Sequence, residues 1–221
     1  MKIAYKELEQ VINVDKYIIT GLVIENPRFM YRMLQELKKA VEGLDSDIVV
    51  SDNEVPVSAS KTLSYITDFV GFTLNQKTLI SKIVNELDQK SKNELYYEKS
   101  HQLLEDIEIY IESLTDDLCC EIMCEKLNML SVIKASGVGI VDDYDTLEER
   151  LLAYMDLARE YEGKQLYVFV NLRSVISYAE LQLMMDTAIT REYRVLLIDN
   201  MDYQKLTCEK RIIIDNDLCI I

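Results

Sequence analysis

Apolar positions follow a strand pattern near the amino end of the chain and then switch to a helical pattern. Residues 17–24 are almost continuously apolar and rich in β-branched side chains, which predicts one buried strand or two paired strands around a central glycine. Asn26 and Pro27 are residue types favoured at the N-cap and first position of a helix, and the apolar stripe that follows ends near Gly43. Residues 48–50 predict a second, short strand.

The middle third of the chain has helical periodicity. Apolar residues recur every three or four positions within residues 79–87 and again within residues 103–114. These two stripes predict a helical hairpin that begins near Asn75.

The last third alternates short apolar runs with helical patterns. It predicts strands at residues 139–141, 166–170, 195–199 and 212–214, and helices at residues 145–161 and 178–189. Such an alternation is typical of a mostly parallel sheet with helical crossovers. We therefore expect an α/β fold with one discontinuous domain, residues 1–75 and 131–221, from which residues 76–130 project as a helical arm.

Composition favours a reduced, aqueous compartment. Hydrophobic residues make up 49% of the 221 residues, which is ample for a core. No stretch approaches the ~20 apolar residues that span a membrane, and no apolar signal-peptide run is present. The five cysteines include the adjacent pair Cys119 and Cys120, which does not fit a disulfide framework. We expect reduced thiols, a cytoplasmic location and no membrane association.

The net charge argues at first against nucleic acid as a partner. With 24 Lys and Arg against 39 Asp and Glu, the formal charge is −15, whereas phosphate binding depends on clustered cations. The acids are segregated, however, because residues 101–125 contain eight Asp or Glu and no Lys or Arg. A separate basic face is therefore compatible with the composition.

The chain contains no recognisable catalytic motif. Neither form of glycine-rich phosphate loop is present, and the glycines at 137 and 139 lack the lysine and helix start that would cradle a phosphate. The single histidine, His101, has no partner motif for nucleophilic catalysis. Cys119, Cys120 and Cys124 lack the paired spacing of zinc ligands. We therefore predict no catalytic residues.

Carboxylates in the arm are the candidates for a cation site. A helix that restarts near Thr115 would place acids at four-residue spacing, where like charges repel by a few tenths of a kcal/mol each. A hard cation such as calcium removes that cost, because it takes six to eight oxygen ligands. From spacing alone, a plain solvated face is the preferred alternative. The candidate ligands are Glu112, Asp116, Asp117, Glu121 and Glu125.

Basic residues on the first helix and on the arm are the candidates for phosphate contacts. No base-reading motif accompanies them, and for any one of them an ordinary solubilising charge is the alternative. The candidates are Arg28, Arg32, Lys38, Lys39, Lys77, Lys82, Lys90, Lys92 and Lys134.

Four segments, in order, resemble the type II-A CRISPR adaptation family. They are ITDFVGFTLN at residues 66–75, VIKASGV at 132–138, YVFVNL at 167–172 and IIIDNDLC at 212–219. With the matching length, the similarity extends over nearly the whole chain, although none of the segments is a catalytic signature.

The resemblance implies a fold, an assembly and a role. It implies an α/β head related to degenerate P-loop NTPase folds, an extended helical leg, and a homotetrameric ring whose basic channel holds double-stranded DNA. Calcium at the acidic leg residues would stabilise the ring. The implied role is non-catalytic, sequence-independent binding of DNA ends during spacer acquisition in antiviral defence, alongside the CRISPR integrase and signature nuclease of the same system.

Two other functions remain open at this point. A divalent-metal nuclease would need carboxylates that converge at a cleft together with a base, and no such base is evident. A degenerate α/β scaffold that binds only protein would need no DNA contacts.

Overall fold

The computed structural model describes residues 1–116, 118–120 and 122–221. The chain divides into two compact units. Unit 1 comprises Met1–Thr73 and Asp143–Ile221, and unit 2 comprises Leu74–Asp142.

Strands and helices of the described residues follow one another in a mixed order along the chain. The strands are β1 Lys2–Tyr5, β2 Ile12–Asn13, β3 Ile19–Ile24, β4 Ile48–Asp52, β5 Val55–Val57, β6 Leu63–Ile66, β7 Leu166–Val170, β8 Arg194–Asp199 and β9 Glu209–Ile214. The helices are α1 Pro27–Glu42, α2 Ala59–Thr62, α3 Lys77–Ser91, α4 Glu94–Ser113, α5 Met129–Ala135, α6 Leu147–Glu162 and α7 Tyr178–Thr190.

A parallel sheet forms the centre of unit 1. Its strand order is β6-β7-β8-β3-β9, and every pairing in it is parallel. The register places Leu22 of β3 opposite Ile198 of β8 on one side and Ile212 of β9 on the other. All five residues of β7 are buried, as is typical of parallel strands covered on both faces. This sheet confirms the α/β fold class and its mostly parallel sheet.

The two faces of the parallel sheet are covered by different helices. Val168 of β7 packs in a core that includes α1 and the small second sheet. Because side chains alternate along a strand, Tyr167 points to the opposite face. There its hydroxyl donates a 2.7 Å hydrogen bond to the carbonyl oxygen of Met155 in α6.

A second sheet in unit 1 is antiparallel, with the order β2-β1-β4-β5. The sequence pattern predicts β4 but not the other three strands of this sheet. Buried Ile3 and Tyr5 alternate with half-buried neighbours along β1, and β2 is only two residues long. Runs this short do not carry a clear two-residue period.

Helix α1 begins and ends where the sequence predicts. The Asn26 side chain accepts hydrogen bonds from the backbone N–H groups of Arg28 and Phe29, both at 3.1 Å. Pro27 occupies the first turn, and Gly43 ends the helix with a left-handed φ of 74°. These caps fix where α1 lies after β3.

Unit 2 is helical. Helix α3 packs against both α4 and α5, and it buries Leu79 and Val84. Residues 92 and 93 join α3 to α4, in agreement with the helical hairpin that the periodicity predicts. Helix α4 itself has no buried residue.

The strand expected at residues 139–141 is wrong. These residues pair with no strand, and Val141 is 82% exposed. A side chain replaces the missing strand partner, because Asn75 bonds both backbone groups of Ile140. Unit 2 also extends to Asp142 rather than to the expected residue 130, since α5 packs against α3.

Candidate nucleic-acid interface and cation site

The start of α1 is where a phosphate loop would lie in a nucleotide-binding fold. Only Glu25 and Asn26 separate β3 from α1, so no glycine-rich loop intervenes. Asn26 bonds the free N–H groups of the helix start, and its amide donates to the carbonyl oxygen of Asn216 at 2.9 Å. The donors that would bind a phosphate there are therefore engaged within the protein.

A small cavity in unit 2 has three acidic residues among those that line it. Glu108 and Glu112, from the last turns of α4, line it together with Glu125, and its volume is about 190 Å³. Glu108 is partly engaged, because it accepts a 2.8 Å hydrogen bond from the backbone N–H of Leu127. Lys126 also lines the cavity. Two of the candidate calcium ligands, Glu112 and Glu125, thus share one site.

The remaining candidate ligands do not join this cavity in the described residues. Asp116 is exposed in the turn after α4 and does not line it, while Asp117 and Glu121 lie outside the described residues. Within residues 1–116, 118–120 and 122–221, no group of three or more His, Cys, Asp or Glu side chains is placed to hold a metal ion. The carboxylates are nevertheless hard oxygen donors, which is the chemistry that calcium requires.

The expected helix restart after Thr115 is wrong for the described residues. Residues 118–120 and 122–128 form no helix. Their apolar side chains are not packed in the hydrophobic core, and Met123 is 93% exposed. A short helix without a packed face is marginal in water, so four-residue spacing does not place Glu125 on a helical face. Glu125 instead lines the same cavity as Glu112 because of the path of the loop.

Five of the candidate basic residues are already paired with carboxylates. Each of these pairs joins a partly exposed cation to an acid nearby in the fold, so much of the positive charge is locally neutralised. The pairs are Arg32 with Glu7 at 2.6 Å, Lys38 with Glu42 at 3.8 Å, Lys39 with Glu36 at 2.6 Å, Lys90 with Glu86 at 2.5 Å, and Lys92 with Asp88 at 2.6 Å.

Four candidate basic residues have no such acid. Arg28, Lys77, Lys82 and Lys134 are exposed, and none of them forms an ion pair with a carboxylate in the part of the chain that the structure describes. Lys77 and Lys82 lie on α3, and Lys134 lies on α5, which packs against α3. These four are the cations best placed to meet phosphates.

A buried charge network lies in the interior of unit 1, and the sequence analysis did not predict it. Arg173 donates from Nε to Asp199 at 2.8 Å, and its Nη2 lies 2.8 Å from Glu209. Arg211 binds both carboxylate oxygens of Glu209, at 2.8 and 3.0 Å. The same arginines hold the loop between β8 and β9, because they donate to the carbonyl oxygens of residues 204 and 203. The four residues are scattered between positions 173 and 211, so no local motif could reveal them.

The pKa values of the two acids in this network are shifted in opposite directions. Desolvation raises the pKa of Asp199 to about 6, although the Arg173 guanidinium opposes that shift. Desolvation also pushes the pKa of Glu209 up, but hydrogen bonds from Arg211, the Leu206 backbone and Arg173 outweigh it, so its pKa lies below the usual value. Glu209 is therefore the stronger acid of the pair.

Comparison with known proteins places the chain in a class. A family model described as "CRISPR-associated protein (Cas_Csn2)" matches residues 42–218, and the chain is therefore a CRISPR-associated protein. Because the match extends over more than half of the chain, the protein belongs to the Cas_Csn2 family, whose role lies in CRISPR adaptation. The resemblance of the four sequence segments to this family is confirmed.

Solved structures also resemble the chain. One is a putative ABC transporter ATP-binding protein from Pyrococcus furiosus, with 10% identity and a TM-score of 0.41 over 96% of this chain and 94% of that chain.

Among the described residues, no helix has both the length and the apolar character needed to cross a bilayer.

Proposed function

We propose that this protein is a non-catalytic, sequence-independent binder of double-stranded DNA ends that acts in the cytoplasm during spacer acquisition. Family membership supports the adaptation role. The observation that supports DNA binding is that four of the candidate cations are exposed and form no ion pair with a described carboxylate: Arg28, Lys77, Lys82 and Lys134. Phosphates are the natural partners of exposed cations that no carboxylate neutralises.

The proposed binding mode is contact with phosphates alone. Lysine and arginine that reach the backbone position a duplex without reading its bases, so any sequence is accepted. The engaged start of α1 supports a role without nucleotide hydrolysis, because Asn26 already binds the N–H groups of Arg28 and Phe29. Binding would weaken steeply with salt, since each phosphate contact contributes a slope of about 0.9 in log K against log salt.

Calcium is the proposed cofactor, bound at Glu112 and Glu125 with further oxygens from Asp116, Asp117 or Glu121. The first two carboxylates line one cavity, which supports a shared cation. A bound calcium supplies positive charge that cancels the repulsion among these acids and between them and DNA. The carboxylates that bind the calcium would then hold the end of α4 and the following loop in one arrangement.

A homotetrameric ring is the proposed assembly, working with the integrase and the signature nuclease of the same CRISPR system. Large apolar side chains along α4 remain exposed, including Leu95, Ile109 and Tyr110. Exposed apolar surface of this kind marks protein contacts. The same observation favours a second candidate function, a scaffold that binds only protein.

One experiment separates these functions. A blunt linear duplex and a closed circle are titrated with the protein in calcium, in chelator, and in magnesium or manganese, while oligomer mass and DNA integrity are followed. The proposal expects calcium-dependent binding of intact linear DNA by a tetramer. Absence of binding in all conditions leaves the scaffold, and cut DNA in magnesium or manganese identifies a nuclease.

Charge-matched variants locate the contact. Lys77→Ala and Lys134→Ala should each weaken binding and lower the salt slope by about 0.9. Lys38→Ala removes the same charge from a residue that is paired with Glu42, and it serves as the matched control. Equal losses in all three variants would refute the assignment of DNA contacts to the unpaired cations.

A further inference from the structure

The two ends of unit 2 are tied to each other by side chains. The backbone N–H of Leu74, the first residue of the unit, donates to Oδ2 of Asp142, its last residue, at 2.9 Å. Next to this bond, Asn75 donates from Nδ2 to the carbonyl oxygen of Ile140 at 2.9 Å and accepts the Ile140 N–H at Oδ1 at 2.8 Å. Both backbone groups of Ile140 are therefore bound by one amide side chain.

The two hydrogen bonds between Asn75 and Ile140, called the Asn75 tie below, hold a segment that contains no helix or strand. Residues 138–144 belong to no helix or strand. The chain also leaves room for the tie at Gly139, where an added Cβ would lie 3.0 Å from Oδ1 of Asn75. A contact this short would make the Asn75 amide shift by a few tenths of an ångström, so glycine at position 139 accommodates the tie.

The segments joined by this tie bear two of the unpaired cations. Lys77 begins α3 two residues after Asn75, and Lys134 lies in α5 shortly before Ile140. Helix α5 packs against α3, so tying the two flanking segments restrains the start of one helix relative to the other. Long flexible side chains bind phosphates better when their backbones are already held in place.

We propose that Asn75 is a positioning residue that holds Lys77 and Lys134 as one phosphate-binding pair. This inference rests on the proposed DNA-binding function. Asn75 itself does not contact DNA in this scheme. It acts through the backbone of Ile140, so that both lysines engage one duplex together.

The tie is tested first without DNA. In Asn75→Ala, the Ile140 amide loses its acceptor, and its hydrogen exchange should become about 10- to 100-fold faster. Asn85→Ala, at an exposed position of α3, is the matched control and should leave Ile140 protected. Gly139→Ala should speed the same exchange by crowding Oδ1. In the Asn75→Ala background it should add nothing, because the oxygen that it meets is gone. Unchanged exchange at Ile140 in Asn75→Ala would overturn the proposal.

The positioning role is tested with blunt duplex DNA over a salt series in calcium. Asn75→Ala should weaken binding about 10-fold and lower the salt slope by about 1 to 2, as expected when paired phosphate contacts no longer form together. A general loss of folded protein would lower the active fraction but would not change that slope. Adding Lys77→Ala to Asn75→Ala should cost less than Lys77→Ala costs alone.

Failure of the positioning role and failure of the proposed DNA-binding function give different results. If Asn75→Ala frees the Ile140 amide yet binds DNA with the wild-type affinity and slope, the positioning role is wrong while DNA binding stands. If the wild-type protein itself binds no duplex, the proposed function is wrong, and the assignment of a phosphate pair falls with it.

Discussion

Gly21 is the position at which a single methyl group should damage the centre of unit 1. It lies in β3, and a Cβ built there would meet the Glu209 carboxylate, with Cδ at 3.0 Å and Cγ at 3.4 Å. The backbone of Gly21 is not in the left-handed region, so alanine is tolerated by the chain itself. The three atoms nearest to the added Cβ all belong to Glu209, so we expect the main cost of Gly21→Ala to arise from that side chain.

The Glu209 side chain cannot move away cheaply. It is 5% exposed, and its carboxylate is held by Arg173, by Arg211 and by the Leu206 N–H at 2.9 Å. Overpacking in a core costs about 1–3 kcal/mol, and disrupting a buried ion pair costs about 3–5 kcal/mol. We expect Gly21→Ala to lower the free energy of unfolding by about 3 kcal/mol or more, a large share of the ~5–15 kcal/mol of a typical domain.

Urea unfolding followed by far-ultraviolet circular dichroism measures this loss, which should appear as a midpoint lowered by about 1–2 M. The cause is isolated by repeating the substitution in a Glu209→Asp background, where the shorter carboxylate leaves room for the methyl group while its charge remains. Gly21→Ala should cost clearly less there. An equal cost in both backgrounds would show that the Glu209 carboxylate is not what the methyl group meets.

Four further predictions follow from the structure. As the pH falls from 7 to 4, the wild type should gain up to about 2–3 kcal/mol of stability relative to Asp199→Asn in urea titrations. The reason is that the folded-state pKa of Asp199, about 6, lies above its ordinary value of 3.8, so the folded state binds more protons, and this contribution is lost as pH rises. A pH-independent difference would contradict it. Asn26→Ala should lower the unfolding free energy by about 1 kcal/mol through the lost cap, whereas Asn26→Asp, which keeps the acceptor, should lose less. Lys77→Glu should weaken DNA binding more than Lys39→Glu, because Lys39 is already neutralised by an acid, and a filter-binding titration that ranks them the other way would refute the pairing argument. Glu125→Gln should weaken calcium binding in a calorimetric titration of calcium into the protein, and an unchanged calcium affinity would exclude this carboxylate as a ligand.

Local signals account for the elements that the sequence predicts well. Asn26, Pro27 and Gly43 are cap residues whose effect extends over one helical turn, and α1 begins and ends with them. Strands β7 and β8 are continuous apolar runs, which are typical of parallel strands covered on both faces. In each case the deciding interactions lie within a few residues of one another.

Long-range contacts account for what the sequence could not predict. The apolar run at residues 139–141 has the composition of a strand, but Asn75, far away in the chain, takes the place of a strand partner. Glu112 and Glu125 share a cavity although their separation fits no helical period. Among the paired basic candidates, only Arg32 meets an acid distant in sequence, Glu7, whereas the other four are paired with acids three or four positions away along the chain.

The position of β3 in the parallel sheet has a consequence for synthesis on the ribosome. This strand lies between β8 and β9, so both of its neighbours emerge after nearly all the rest of the chain has been made. Until then the fully buried residues of β3 have no sheet to join, while α3 and α4 of unit 2, which are adjacent in sequence, can already pack. Closure of the sheet is therefore expected to be the late, slow event of folding. Nascent chains that end before β9 are the species most exposed to aggregation and chaperone binding.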